Sequence, residues 1–132
     1  MQEPTIPAPR AIKIPGPDHP ITLAHNPNRV VVTLGGHTIA DSRETITLRE
    51  ANYPAVHYIP RKDVDMAALE RTDHTTYCPY KGASGYFSLA GAGPRGVNAV
   101  WTYEDPYSSV KDIKDHVAFY PDRVESIVEH AA

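Results

Sequence analysis

Apolar and polar residues alternate with a period of two along most of the chain, which predicts half-buried strands. Val30, Val32 and Leu34 follow Arg29 at alternate positions, and Gly35-Gly36 then supplies the positive φ that a tight turn requires, so residues 29 to 42 read as a hairpin. Ile46 and Leu48 alternate with threonines in a third strand over 45–49, and a fourth spans 56–59 after the break at Pro54. A meander of these strands is expected. The period then changes. Asp63 stands at an N-cap position before Val64, Ala67, Ala68 and Leu69, predicting one short helix. Strand character returns at 75–77 until Pro79, a loop runs from Cys78 to Gly85, and strands follow at 86–89 and 98–103 as a hairpin across the loop of Gly91, Gly93, Pro94 and Gly96. Ser108 or Ser109 caps a second helical turn reaching Ile113, Asp112 completing a capping box with Ser109. Residues 116–120 and 123–128, turning at Pro121-Asp122, read as a closing hairpin. The class is mostly β, with one or two short helices.

Composition adds boundaries to this picture. Five of the thirteen prolines fall in the first 17 residues, where fixed φ and missing N–H groups oppose regular structure. Residues 1–28 are therefore expected to form an extended arm and 29–130 a single domain, as suits 132 residues with 41% hydrophobic content. The net charge of -3, with both signs intermixed, offers no basic stripe for a nucleic-acid backbone. No apolar run reaches the ~20 residues that cross a bilayer, and the N-terminus has no apolar signal-peptide core. A cytoplasmic protein without membrane or nucleic-acid partners is expected. The lone Cys78 rules out an internal disulfide and a four-thiolate zinc site. Seven histidines show no ligand-like local spacing, and phosphate-binding or dinucleotide-binding glycine motifs are missing, so neither a metal nor a cofactor is expected.

Three segments carry chemistry. In Cys78-Pro-Tyr-Lys-Gly82 a thiol, a phenol and a cation share one short loop, and an ammonium three residues away can lower a thiol pKa. The plainer reading makes Cys78 a small buried hydrophobe and Lys81 a solvated charge. Tyr58-Ile-Pro-Arg61 ends a strand with a guanidinium suited to a carboxylate or phosphate; its structural alternative is an ion pair with Glu50 or Glu104. Trp101 and Tyr103 share one strand face, as a pocket wall or as a core anchor. Glu104 and Asp105 point to opposite faces and form no dyad.

These segments, together with Arg29-Val-Val-Val, Gly35-Gly36, Ile39-Ala-Asp-Ser42, Asp63-Val64, Ala99-Val-Trp-Thr-Tyr-Glu104 and Phe119-Tyr120, resemble the domain of unknown function 427 family over about residues 12 to 128. The resemblance implies a β-tent-like fold, two antiparallel sheets leaning together over a pocket. Many β-tent proteins hold zinc through paired Cys-x-x-Cys motifs, and this chain departs from that pattern because Cys78 is alone. The family also carries a nucleotidyltransferase label, but no Gly-Ser followed by a spaced Asp-x-Asp accompanies Asp63-Val-Asp65, so that activity is not carried over.

The leading expectation is a ligand-binding or sensing domain for a small molecule, anionic in particular, in a pocket lined by Tyr58, Arg61, Cys78, Lys81, Tyr86, Trp101 and Tyr103. The alternatives are an enzyme with Cys78 as nucleophile or redox centre assisted by Lys81 or a histidine, and a structural or interaction module; a homodimer is compatible with all three.

Overall fold

The computed structural model describes residues 10–132, so the expectation of an extended arm at Pro4, Pro7 and Pro9 lies outside the described residues. The strands, in chain order, are β1 (Ile21–Asn26), β2 (Arg29–Leu34), β3 (His37–Ser42), β4 (Thr45–Glu50), β5 (Val56–Pro60), β6 (Leu69–Cys78), β7 (Gly82–Leu89), β8 (Val100–Thr102), β9 (His116–Phe119) and β10 (Ser126–His130). They form two antiparallel sheets, a seven-stranded one in the order β1-β4-β5-β9-β8-β7-β6 and a three-stranded one in the order β10-β2-β3. The expected class, mostly β with two antiparallel sheets leaning together, is what folds.

Local signals placed the β2–β3 and β7–β8 hairpins well. The β2–β3 turn has φ of 58° at Gly35 and 75° at Gly36, the paired left-handed geometry that only glycine adopts freely. The Cys78 loop is tighter than expected, because β6 and β7 stay paired up to Cys78↔Gly82 and leave only Pro79, Tyr80 and Lys81 in the turn.

Long-range pairing departs from the sequence reading in three places. The strands form no meander: β2 and β3 enter the small sheet, while β4 pairs with β1 and β5 in the large one. β1 lies within the stretch expected to be an arm, where Ile21 and Leu23 alternate with polar residues and pack against a core. Residues 116–128 are no hairpin, since β9 belongs to the large sheet and β10 to the small one. The crossing is fixed by Arg123 N–H donating to the Tyr120 carbonyl and Glu125 N–H donating to that of Thr33.

The expected helix after Asp63 is also replaced, by two 3-10 turns, Arg61–Asp63 and Met66–Ala68. Asp63 caps nothing and instead accepts a 2.6 Å hydrogen bond from Ser42. The Asp65 N–H donates to the Ile39 carbonyl, so the backbone is tied to β3 where a helix would need it free. The segment Ser108–Ile113 is likewise 3-10, without a side-chain cap.

Two cores lie on opposite faces of the large sheet. On one face Ile59, Phe87, Val100, Val117 and Phe119 pack against Val30, Val32, Ile39 and Ala40 of the small sheet. On the other, Ile46, Leu48, Tyr58, Tyr103 and Ala118 enclose Val110 and Ile113 of the last long 3-10 segment. Glu129 of β10 ties the sheets along one edge, accepting from Asn26 at 3.0 Å and Asn28 at 2.6 Å.

The second face is concave. Glu50 on β4 and Lys81 beside β7 would stand roughly 19 Å apart across four strand spacings of a flat sheet, beyond the reach of their side chains. They are nonetheless ion-paired. The sheet must curl to bring them together, which places Val110 and Ile113 inside the curve.

Candidate functional site

Strand register sorts the expected site residues onto faces. Directly paired residues share a face, and the pairs Ile46↔Tyr58, Trp101↔Ala118, Tyr86↔Trp101 and Cys78↔Gly82 place Tyr58, Trp101, Tyr86 and Cys78 on the concave side with Tyr103. Trp101 Nε1–H donates to the Tyr58 hydroxyl at 3.1 Å, and Tyr58 and Tyr103 rings lie 6.4 Å apart. Burial raises the pKa of both phenols, with Glu50 and Cys78 adding to the rise, so both stay protonated at neutral pH. Tyr86 is buried, its hydroxyl 2.9 Å from that of Thr76.

Arg61 does not join them. Its Nη2 donates to Thr102 Oγ1 and Glu104 Oε2, each at 3.0 Å, and its guanidinium lies 5.6 Å from the Phe87 ring centre, all on the convex face. Arg71 holds the same carboxylate from the other side, its guanidinium within 3.0 Å of the position a Cβ on Gly85 would take. Hydrogen bonds from Arg71, opposed by burial and reinforced by Arg61, lower the Glu104 pKa to about 2. The structural alternative for Arg61, an ion pair with Glu104, is the one observed. The physical reason is the strand period: Arg61 follows Tyr58 by three positions and therefore leaves by the opposite face.

Lys81 sits on the concave side but is neither solvated nor free. Only a tenth of its side chain is exposed, and it donates to Glu50, whose other oxygen is 2.7 Å from His19 Nε2. His19 in turn stacks on Tyr80 at 4.1 Å between ring centres. Burial works to raise the Glu50 pKa, but the hydrogen bonds from Lys81 and His19 outweigh it and the net shift is downward. The group is a clasp that holds the curled sheet closed. Cys78 stands beside it, a partly buried free thiol 3.8 Å from Lys81 Nζ. From sequence, Glu50 is only a candidate partner for Arg61 and His19 falls in the expected arm. The signal for Glu50 was available, since it follows Ile46 and Leu48 at the same inward parity of β4.

A more apolar feature lies elsewhere on the same strands. β5 and β9 pair at Ile59↔Val117 and Pro60↔His116, and beyond those residues the two strands separate. Between them opens a cleft of about 620 Å³ with walls from Tyr53, Val56, Trp101, Phe119 and Tyr120, backed by Ile127 of the small sheet. Trp101 is the one expected site residue that lines it. Because its N–H is engaged by Tyr58, it offers the cleft the carbon faces of the indole, 4.6 Å from the Tyr120 ring.

A family model described as a domain of unknown function (DUF427) matches residues 22–130. The chain belongs to the DUF427 family. No curated protein matches it. The nucleotidyltransferase label attached to the family finds no support in this DUF427 domain: Asp63 is engaged by Ser42 and Asp65 by His37, and among the described residues no three His, Cys, Asp or Glu side chains gather as ligands. These residues do not fit the metal centre such chemistry requires. No helix of the described residues is long and apolar enough to cross a membrane.

Proposed function

We propose that this DUF427 domain binds a small, largely apolar molecule in the cleft where β5 and β9 separate. The cleft itself carries the reading: about 620 Å³ lies within the roughly 300–1,000 Å³ of small-molecule sites, and its walls are aromatic and aliphatic with His57 as the one imidazole. The cations expected to grip an anion, Arg61 and Lys81, are held by Glu104 and Glu50, which moves the emphasis from charge to apolar contact. The cleft is built from one chain, so the reading needs no second subunit.

Trp101 makes the test direct, because it is the chain's only tryptophan and forms a wall of the cleft. Titration with naphthalene derivatives is expected to change its fluorescence saturably and to raise the melting temperature. A library of aromatic and aliphatic probes that leaves both signals unmoved sinks the reading.

A second reading, an enzyme using Cys78, is favoured by one contact, the 3.8 Å between Lys81 Nζ and the thiol sulfur. It requires enhanced nucleophilicity. Iodoacetamide alkylation of Cys78 at neutral pH is expected to outpace that of a free cysteine peptide and to slow in Lys81→Met; a rate no faster than the peptide's removes the motive for it.

A further inference from the structure

Tyr120 lines both the apolar cleft and a second hollow of about 450 Å³. This neighbour has different chemistry, with His74, Thr76, Tyr86, Asn98, Asp122 and Arg123 in its walls. Two of these groups have donors to spare. The Asn98 side-chain oxygen accepts from Thr72 at 2.7 Å and its backbone N–H donates to Ser88, which leaves the Nδ2 amide end without a partner among the described residues. Arg123 Nη1 donates to the Arg95 carbonyl at 3.0 Å and its Nε is 3.8 Å from Asp122, whose side chain is three-quarters exposed; Nη2 has no partner among the described residues. The Tyr120 phenol, pushed up to about 12 by burial first and then by its hydrogen bond with Tyr86, keeps its proton at neutral pH and adds no negative charge to the hollow.

We infer that the ligand is amphiphilic, with an apolar body in the β5–β9 cleft and a carboxylate-class head that passes the Tyr120 ring to be met by Arg123 and Asn98. The inference rests on the cleft reading above and names the ligand class that reading leaves open. A guanidinium edge and an amide N–H₂ with open donors match the two oxygens of a carboxylate, and a neutral head of the same shape forfeits the charge-assisted part of that contact. The arginine that meets an anion is then Arg123, with Arg61 fixed on the far face of the sheet.

A matched pair of probes tests it. 2-Naphthoate and 2-naphthamide share a body and differ in the charge of the head, and Trp101 fluorescence reports the binding of each. At low ionic strength the acid is expected to bind roughly fivefold more tightly than the amide, the preference shrinking as salt screens the contact. In Arg123→Gln that ratio is expected to fall to near one, and in Arg123→Lys part of it should survive. Equal affinities for acid and amide in the wild type, or a preference that persists in Arg123→Gln, overturn the inference while leaving the cleft reading in place. Failure of both probes to perturb Trp101 overturns the inference together with the cleft reading.

Discussion

The two faces of the seven-stranded sheet use similar residues to opposite ends. On the convex face the side chains are matched: Phe87 is buried under Arg61 and Arg71, and both guanidinium groups converge on one carboxylate, Glu104. On the concave face the sheet wraps around a short 3-10 plug, and where β5 and β9 part company the sheet opens into a cleft walled from both faces, by Val56 and Trp101 from this one and by Ile59 and Phe119 from the other. A charged or aromatic residue therefore means something different on each side. Arg61 and Trp101 come from equally suggestive motifs, and one serves as a strut while the other forms a wall. Sequence reveals which face a residue takes through strand parity, but not where the sheet leaves room.

Truncating one aromatic on each face is the strongest way to break this comparison. Phe87→Ala is expected to cost about 4 kcal/mol, the usual loss for a buried phenylalanine whose cavity cannot collapse. Trp101→Ala removes a larger side chain yet is expected to cost only about 2 kcal/mol, because the indole already borders open space and the cleft simply widens. Urea melts of the two variants settle the order. A Trp101→Ala loss equal to that of Phe87→Ala would show the indole to be core and the cleft too closed to admit a ligand.

The clasps of the two faces differ in burial, and so in expected cost. Lys81 and Glu50 have 10% and 14% of their side chains exposed, against 29% and 40% for Arg61 and Glu104. Lys81→Met strands the Glu50 carboxylate with His19 alone and is expected to destabilise by about 3 kcal/mol, in the range for breaking a buried pair. Removing both charges, with Glu50→Gln added, should recover more than half of that loss, since the penalty comes chiefly from the uncompensated ion. A double variant no more stable than Lys81→Met would mean that the hairpin turn at Pro79 to Lys81 depends on the lysine's packing and not on its charge.

Much of this architecture was legible in the sequence because it is local. Alternation located β2 to β5, the paired glycines located the first turn, and the resemblance supplied the two leaning sheets. What escaped is set by contacts between residues far apart in the chain. Nothing near β4 announces that β1, more than twenty residues earlier, will lie beside it, and nothing in Pro121-Asp122 distinguishes a hairpin turn from a crossing between sheets. The helix expected after Asp63 had a cap residue and an apolar stripe, yet its backbone is tied to β3 through Asp65 and Ala40↔Val64, a tertiary override of a weak local preference. The candidate site was half legible for the same reason. Motifs identified the chemistry-bearing side chains, but the cleft arises from two strands ceasing to pair, and its Tyr53, Phe119 and Ile127 walls carry no motif.

The smallest expected effect concerns pH. Glu104 has its pKa lowered from 4.5 to about 2 in the folded protein, so its pairing stabilises fully above the ordinary carboxylate range and is lost as pH falls from about 4.5 toward 2. The carboxylate is two-fifths exposed, so solvent screens the pair and the contribution should be about 1 kcal/mol, less than the shift alone implies. Glu104→Gln is then expected to be less stable than the wild type by that amount at pH 7, with most of the difference gone by pH 2.5 and the remainder lost below the folded pKa of about 2. Some acid sensitivity remains in the variant, because Glu50 is also held below its ordinary value and its stabilisation fades over the same direction of pH. A stability difference that stays constant from pH 7 to pH 2.5 would mean that Glu104 acts on the convex face through shape alone, and that the two faces differ in packing and not in how their charges are matched.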